Sequence, residues 1–268
     1  MVRKTPKISA IILILTGILM VFPIYILFMS GFKSASEIFL PNLWPKHFTL
    51  VNFINVLNDK FIRGIINSLI VAITVTVVAM ILHAMCGYAL ARFNFPHKKL
   101  IFSTIMSTLM IPTTTIFVPL FMVCKVLGLT NNMGGMIIPA LFNAYGIFLF
   151  RQFYLDFPRE LEEAAEVEGC SKIRIFFTIA LPLSKQMMVS LSIAFFLGTW
   201  NNYLWPLIIN KKEQFYTIQV VLANMVSGYN TPWNELIAAA AMAAVPVFAL
   251  FIFLQGKLQD GISTTGIK

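Results

Sequence analysis

Hydrophobic runs alternate with short polar segments along the whole of this 268-residue chain. Crossing a bilayer as a helix takes roughly 20 predominantly apolar residues. Runs of that kind predict six transmembrane segments, at residues 8–30, 64–89, 100–123, 136–153, 183–210 and 236–255. The second run is rich in Ile and Val, but in lipid only a helix satisfies the backbone of one isolated segment. We therefore expect an all-α integral membrane protein that forms a single transmembrane domain, residues 1–268.

The composition agrees with a membrane protein and excludes several other classes. Hydrophobic residues make up 58% of the chain and charged residues 12%, about half of the usual charged fraction of a soluble domain. The net charge of +9 does not indicate a nucleic-acid partner, because Lys and Arg flank the hydrophobic runs and form no patch with interleaved aromatic residues. Cys86, Cys124 and Cys170 have neither paired nor metal-ligand spacing. We expect membrane lipid as a partner, and no disulfide or metal site.

The basic residues are divided unequally between the two sides of the predicted topology. With six spans both termini lie on one side, together with residues 156–182, and that side holds 13 of the 20 Lys and Arg residues. Basic residues accumulate on the cytoplasmic side of a membrane protein, so we expect the termini and residues 156–182 in the cytoplasm. Residues 8–30 are too long for a signal peptide, and no small-residue cleavage site follows them.

A polar segment between the fourth and fifth spans, residues 156–182, is called the acidic segment below. It holds six of the chain's 11 acidic residues, namely Asp156, Glu160, Glu162, Glu163, Glu166 and Glu168. Residues 160–168 are rich in helix-forming Glu, Leu and Ala. Gly169 can end that helix, Ser171 can cap a second one, and Pro182 suits the first turn of the following membrane helix. The acidic segment is either a solvated amphipathic loop or a surface presented to a partner.

Several kinds of chemistry have no signature in the sequence. No G-x-x-x-x-G-K-[ST] phosphate loop is present, so we expect no ATP hydrolysis by this chain. No Asp or Glu lies deep in a predicted span, which disfavours a proton- or sodium-coupled carrier, and no Ser/His/Asp or Cys/His set indicates catalysis. His83, inside the second span, fits a packed and hydrogen-bonded residue better than a functional one. We expect a protein that is not an enzyme.

Uncharged polar and aromatic groups within the spans are the candidates for a substrate pathway. They are Trp200, Asn201, Asn202 and Tyr203 in the fifth span, Asn143 in the fourth and Thr114 in the third. Amides can both donate to and accept from hydroxyl groups, and an aromatic face can stack on a sugar ring. The set therefore suits a neutral, polyhydroxylated solute. Hydrogen bonding between helices and aromatic anchoring at the membrane interface are the alternative explanations.

The acidic segment resembles the EAA loop of ABC-importer permeases, in which E-A-A is followed at fixed spacing by G, I and L-P. The matching positions are Glu163, Ala164, Ala165, Gly169, Ile179, Leu181 and Pro182. Two departures are mild: Glu168 stands where Asp is usual, and Cys170 stands where Ala is usual.

The resemblance extends over nearly the whole chain, to carbohydrate ABC-importer permeases of the maltose-permease G type. The similar segments are N-S-L-I-V-A (67–72), Y-A-L-A-R-F-N-F-P (88–96), G-I-F-L-F-R-Q-F (146–153), W-N-N-Y-L-W-P-L (200–207) and G-I-S-T-T-G-I-K (261–268). Asn202 stands where Asp or Glu is more usual, so an acidic role there is not carried over. The resemblance implies the type I ABC-importer permease fold, with six transmembrane helices and cytoplasmic coupling helices in the acidic segment.

The resemblance also implies partners and roles. In that family the permease pairs with a second, different permease, a dimer of cytoplasmic ATPases that bind ATP and Mg²⁺ drives the pair, and an extracellular sugar-binding protein delivers the solute. This chain would bind no cofactor itself. The residues implied in ATPase coupling are Glu163, Ala164, Ala165, Gly169, Leu181 and Pro182, with Glu163 as the charged contact and Gly169 as the turn. The C-terminal tail would reach the ATPase interface, and residues 211–235 would face the binding protein.

The expected function is that of a permease subunit, forming half of the translocation pathway of an ATP-driven oligosaccharide importer. Its expected location is the cytoplasmic membrane of a bacterium or archaeon. In the family's best-known member the partner permease holds most of the sugar, so either subunit could bind the solute. Two alternatives stay open: a permease for glycerol phosphate or a polyol, and a membrane scaffold without a transport role.

Overall fold

The computed structural model describes residues 7–264, apart from the side chains of residues 7, 8, 229 and 257–264. The basic residues Arg3 and Lys4 and residues 265–268 of the predicted ATPase-contacting tail lie outside the described residues. Within residues 7–264 every regular element is helical. The all-α fold that the sequence predicts is therefore confirmed.

Fourteen α-helices are described within residues 7–264. They are α1 (Lys7–Gly31), α2 (Val51–Val56), α3 (Asp59–Arg92), α4 (Lys98–Ser107), α5 (Phe117–Val126), α6 (Gly134–Ile137), α7 (Ala144–Leu155), α8 (Glu160–Val167), α9 (Lys172–Ile175), α10 (Leu181–Leu183), α11 (Lys185–Trp200), α12 (Leu204–Ile209), α13 (Ile218–Asn224) and α14 (Trp233–Thr264). Short 3₁₀ turns adjoin several of them, and one π-helical turn, Phe176–Ala180, joins α9 to α10.

Four helical stretches of the described chain are long and apolar enough to cross a membrane: Ser9–Gly31, Asp59–Arg92, Gly134–Leu155 and Trp233–Gly256. Two further pairs meet the same criteria across a sharp bend. They are Lys98–Met110 with Thr113–Val126, bent by 98°, and Lys172–Leu183 with Lys185–Trp200, bent by 71°. The count of spans is six if each bent pair forms one span.

The third and fifth spans are not the straight helices that hydrophobicity alone predicts. The third breaks at Ile111 and Pro112, where the chain bends by 98°. A proline disfavours helical geometry in the residue before it, and Ile111 is extended at φ −93° and ψ 118°. The fifth span, predicted as residues 183–210, corresponds to the pair Lys172–Leu183 and Lys185–Trp200, which begins within the acidic segment and bends by 71° at Ser184. The chain breaks again between the end of α11 and the start of α12.

Residues 211–235 are more ordered than the polar loop expected from their composition. They contain α13, in which Ile218 and Val220 are fully buried. The amide side chain of Asn67 on α3 donates to the carbonyls of Gln214 and Tyr216 at 2.9 and 2.8 Å. This segment is therefore held against α3 by the burial of its apolar side chains and by the two hydrogen bonds from Asn67.

Helix α3 lies at the centre of the fold. Its side chains contribute to all three hydrophobic clusters, and the clusters are formed with α7 and α11 near Tyr88, with α11, α13 and α14 near Ala72, and with α5, α6 and α12 near Val75. The apolar stretch of α1, in contrast, is not buried by the rest of the chain. A helix that is hydrophobic and unburied in the monomer is suited to contact lipid or another membrane subunit.

Candidate functional site

The acidic segment folds as two short helices joined by a defined turn. Helix α8 has three glutamates in its first turn, where negative charge interacts favourably with the helix dipole. Gly169 follows it in the left-handed region, at φ 79°. The N–H of Gly169 donates to the carbonyl of Glu166 at 2.9 Å, and the N–H of Cys170 donates to that of Ala165 at 3.0 Å. This pair of bonds is a Schellman motif, and it ends α8 where the sequence predicts.

The second helix of the acidic segment begins at a capped position. The Ser171 hydroxyl accepts a hydrogen bond from the N–H of Arg174 at 3.4 Å, as expected for an N-cap serine. The Schellman motif and this cap leave only residues 168–171 between α8 and α9. The angle between the two helices is thus determined by local backbone hydrogen bonds.

Aromatic packing holds the acidic segment against the membrane-spanning helices. Ile175, Phe176 and Ala180 are buried, and the ring of Phe176 lies 5.2 Å from that of Tyr88 on α3. Near the end of α7, the hydroxyl of Tyr154 donates to Ser184 at 3.1 Å. The π-helical turn therefore joins the segment to α3, α7 and α11 together.

A buried ion pair attaches α8 itself to α3. Nε of Arg92, in the last turn of α3, donates to Oε1 of Glu162 at 3.0 Å, and the two side chains are only 5% and 13% exposed. A second guanidinium nitrogen of Arg92 donates to the carbonyl of Phe157, whose ring lies beneath the guanidinium. The sequence alone indicates only on which side of the membrane these charges lie. The two residues are 70 positions apart, so no local pattern reveals their pairing.

The implied coupling residues of the acidic segment fall on two faces. Glu163, Ala164 and Gly169 are exposed, whereas Ala165 is buried. Leu181 is half-buried and packs against the cluster around Tyr88, and Pro182 is exposed. The E-A-A triplet therefore exposes its first two residues and buries the third.

Large apolar side chains are also exposed on the acidic segment. Val167 is 89% exposed and Ile173 is 71% exposed. They flank the turn that contains Gly169, and Leu161 and Phe177 are exposed nearby in the sequence. An apolar surface of this kind, bordered by glutamates, is typical of a protein interface.

The aromatic and amide candidates in the fifth span occupy different environments. Trp200 is 2% exposed, and its ring stacks on Phe196 at 5.7 Å inside a hydrophobic cluster. It therefore packs in the interior of this chain, and its place in a substrate pathway stays a prediction. Asn201 and Asn202 are exposed at the break between α11 and α12, and Tyr203 beside them is half-buried.

Both asparagines at this break also make hydrogen bonds within the chain. Asn202 Oδ1 accepts from the N–H of Trp205 at 3.4 Å, which helps to start α12. Asn201 Oδ1 accepts from the side-chain amide of Gln219 on α13 at 3.5 Å. Neither bond uses the amide nitrogens, which can donate further hydrogen bonds.

The candidates in the other two spans also lie at breaks. Asn143 is exposed and caps α7 by accepting from the N–H groups of Tyr145 and Gly146 at 2.9 and 3.4 Å. Thr114 is exposed in the 3₁₀ turn Thr113–Ile116, next to the 98° bend.

One small cavity adjoins Asn202. It measures about 70 Å³, and its other polar lining includes Ser68, Thr199 and Thr217. Typical ligand pockets measure roughly 300–1,000 Å³, so this cavity is too small for a sugar in the present conformation. The other five pathway candidates do not border it.

His83 has the structural role that the sequence favours. Its side chain is fully buried, and Nε2 accepts a hydrogen bond from the N–H of Asn143 at 3.0 Å. That N–H lies at the break before α7, where no intrahelical acceptor is available. In the described part of the chain no cluster of His, Cys, Asp and Glu is arranged to hold a metal ion, and the three cysteines are free thiols.

Comparison with known proteins identifies the family. Residues 83–264 match the family described as "Binding-protein-dependent transport system inner membrane component". The chain is 32% identical over 278 residues to the arabinooligosaccharides transport system permease protein AraQ of Halalkalibacterium halodurans, with 100% of both chains covered. It is 32% identical over 280 residues to the sn-glycerol-3-phosphate transport system permease protein UgpE of Rhizobium meliloti, with 99% of each covered.

A solved structure has the same fold. It is the crystal structure of a bacterial ABC transporter involved in the import of the acidic polysaccharide alginate, which matches with a TM-score of 0.83 and 20% sequence identity over 93% of this chain and 95% of that one. At this identity the likeness concerns the fold alone, whereas the family match covers most of the chain. The family match over residues 83–264 and the relatives at 32% identity, on a chain whose described part is helical with four to six candidate spans, establish that the chain is an ABC-importer permease of the binding-protein-dependent transport system inner membrane component family.

Proposed function

We propose that this chain is one of two permease subunits of an ATP-driven, binding-protein-dependent importer of oligosaccharides, and that α8 is its contact with a cytoplasmic ATPase. The observation that supports this most strongly is the projection formed by α8 and α9. It is rigidly joined to α3, α7 and α11, yet it exposes Glu163, Ala164 and Val167.

The proposed ATPase contact assigns a role to each exposed group. Glu163 provides the charged contact, Ala164 allows close approach, and Gly169 supplies the left-handed turn that positions α9. Leu181 packs the segment against the spans and Ala165 is buried on the inner side of α8, and Pro182 begins the return to the membrane. ATP binding and hydrolysis, with Mg²⁺, occur on the ATPase dimer, and this chain supplies no catalytic group.

The proposed solute is a neutral oligosaccharide. Exposed amide and hydroxyl groups lie at the breaks of three spans, on Asn201, Asn202, Asn143 and Thr114. These uncharged groups can form hydrogen bonds with the hydroxyls of a sugar. An AraQ permease among the relatives transports arabinooligosaccharides according to its name. A glycerol phosphate permease, as in the UgpE relative, is the second candidate, although a phosphate favours Arg or Lys at its site.

The proposed assembly contains a second, different permease, an ATPase dimer and an extracellular sugar-binding protein. Its location is the cytoplasmic membrane of a bacterium or archaeon, with the acidic segment and both termini in the cytoplasm. The exposed apolar surface of α1 is available to lipid and to the second permease. Alternating access then follows from movement of α8 with the ATPase as the nucleotide sites close and open.

The proposal is tested by purifying the complex from membranes that contain all the subunits. We expect the ATPase to copurify with the wild-type chain and to be lost with Glu163→Arg, because a reversed charge would face the same ATPase surface. Glu213→Arg, a change of an exposed glutamate outside the acidic segment, serves as the control and should leave ATPase recovery unchanged. Proteoliposomes then identify the solute, by comparison of their uptake of arabino-oligosaccharides with their uptake of glycerol 3-phosphate. A wild-type complex that purifies without an ATPase would contradict the proposal and favour a membrane scaffold.

A further inference from the structure

Helix α3 is continuous over 34 residues and contains no proline. At 1.5 Å per residue it measures about 50 Å, enough to cross the membrane completely. The other candidate spans in the described chain are interrupted or contain proline. Helix α1 includes Pro23, α14 includes Pro246, the fourth span includes Pro139 and an extended residue, Phe142, and the third and fifth spans bend by 98° and 71°. Among the described spans, α3 is therefore best suited to move as one rigid element.

At one end, α3 is attached to α8 by charge. Arg92 pairs with Glu162 and also donates to the carbonyl of Phe157, so two guanidinium nitrogens contact the residues on either side of the start of α8. Glu162 points inward while Glu163, the next residue, is exposed. A partner that contacts Glu163 is thus separated from Arg92 only by the width of α8.

The other end of α3 holds residues 213–224, called the α13 segment. Asn67, which is buried, donates to the carbonyls of Gln214 and Tyr216, and the Ser68 hydroxyl accepts from the N–H of Ile218 at 2.8 Å. Gly64 permits close packing, because a Cβ there would lie 2.9 Å from the side chain of Val221. The α13 segment must therefore follow any displacement of this part of α3.

We propose that Arg92 is a positioning residue that ties α8 to α3, so that a movement of α8 is transmitted along α3 to the α13 segment on the opposite side of the membrane. The inference rests on the proposed contact between α8 and an ATPase. Asn67 and Arg92 are separated by 25 residues, about 38 Å along the helix. The ion pair joins α8 to α3 alone. The packing around Phe176, in contrast, involves α7 and α11 as well as α3.

Hydrogen–deuterium exchange in the intact reconstituted complex tests the route, with and without ATP and Mg²⁺. In the wild type, ATP should change the exchange of both α8 and the α13 segment. In Glu162→Gln, which keeps the shape and removes the charge, α8 should still respond, and the response of the α13 segment should fall at least about fivefold, the low end of typical coupling between sites. Arg92→Gln should reduce the response of the α13 segment in the same way. The double variant should reduce that response little more than either single variant does.

The matched control is Arg151→Gln. Arg151, like Arg92, has its guanidinium over an aromatic ring, that of Phe102 at 4.1 Å, but it makes no ion pair with α8. Its variant should therefore respond as the wild type does. Arg92→Lys keeps the charge and should retain an intermediate response, which a purely structural role would not produce. An undiminished response of the α13 segment in Glu162→Gln overturns the inference and leaves the proposed function standing. A wild-type complex in which α8 itself does not respond to ATP contradicts the proposed function instead.

Discussion

Single residues at the ends of helices determine the shape of the candidate coupling site. Gly169 has φ 79°, and no heavy atom lies within 4 Å of the position that a Cβ would take. A side chain there meets no neighbour, so a substitution changes only the backbone preference. The turn between α8 and α9 therefore depends on a conformation that residues other than Gly, Asn and Asp rarely adopt.

Gly169→Val should impair transport more than Gly169→Asn. Valine disfavours the left-handed conformation by about 1–2 kcal/mol, whereas asparagine adopts it more readily. In the reconstituted complex, the valine variant should transport less solute for each ATP hydrolysed than the wild type does. Equal transport by the two variants would show that the turn conformation is unimportant for coupling.

His83 provides a second test at the scale of one residue. Its Nε2 accepts the N–H of Asn143 in a fully buried site. His83→Leu leaves that N–H without its acceptor, which should lower stability by about 1–3 kcal/mol, and His83→Gln offers a replacement acceptor. Thermal unfolding of the purified complex should rank the wild type first, then Gln, then Leu, and a leucine variant as stable as the wild type would disprove the role.

Between elements, the closest packing is that of α3 against α7. A Cβ at Gly87 would lie 2.6 Å from Cβ of Phe150 and 2.7 Å from the backbone nitrogen of Arg151. The two helices approach at this point because residue 87 has no side chain. Since α3 also contributes to all three hydrophobic clusters, a shift of its axis would disturb most of the fold.

Gly87→Ala should therefore destabilise the protein, by about 1–3 kcal/mol as is usual for overpacking. Gly198→Ala is the matched control, because Gly198 lies within α11 and nothing is found within 4 Å of its Cβ position. The control should be neutral or slightly stabilising, since glycine disfavours helix interiors. Melting temperatures of both variants in detergent provide the measurement; a smaller loss in Gly87→Ala than in Gly198→Ala would contradict the packing argument.

Across the whole molecule, α3 separates two polar regions. Arg92 and the acidic segment lie at one end of α3, and the α13 segment lies toward the other. The unequal distribution of Lys and Arg, with 13 of the 20 on the side of the acidic segment, indicates which region faces the cytoplasm.

We expect a reporter fused at residue 165 to be active in the cytoplasm, and one fused at residue 226 to be active outside the cell. Val226 follows the α13 segment and is exposed, so a fusion there should disturb the core little. Paired alkaline phosphatase and fluorescent protein fusions at the two positions give the readout. The opposite pattern would exclude contact between α8 and a cytoplasmic ATPase.

The sequence by itself determined the features that depend on neighbouring residues. Runs of apolar residues predicted the membrane-spanning helices, because the bilayer leaves an isolated segment no other way to satisfy its backbone. Gly169 and Ser171 predicted the turn, because helix ends are completed by groups within a few residues. The motif around Glu163 indicated the family for the same reason, since its residues are close together in the chain.

Only the tertiary structure decided the features that depend on residues distant in sequence. Arg92 and Glu162 meet across 70 positions, and Asn67 reaches Gln214 across 147, distances over which no periodicity carries information. The burial of Trp200 is likewise set by Phe196 and the helices packed around them. Side-chain charge and polarity are properties of a residue, but whether that residue faces a solute, a partner or the core is a property of the packing around it.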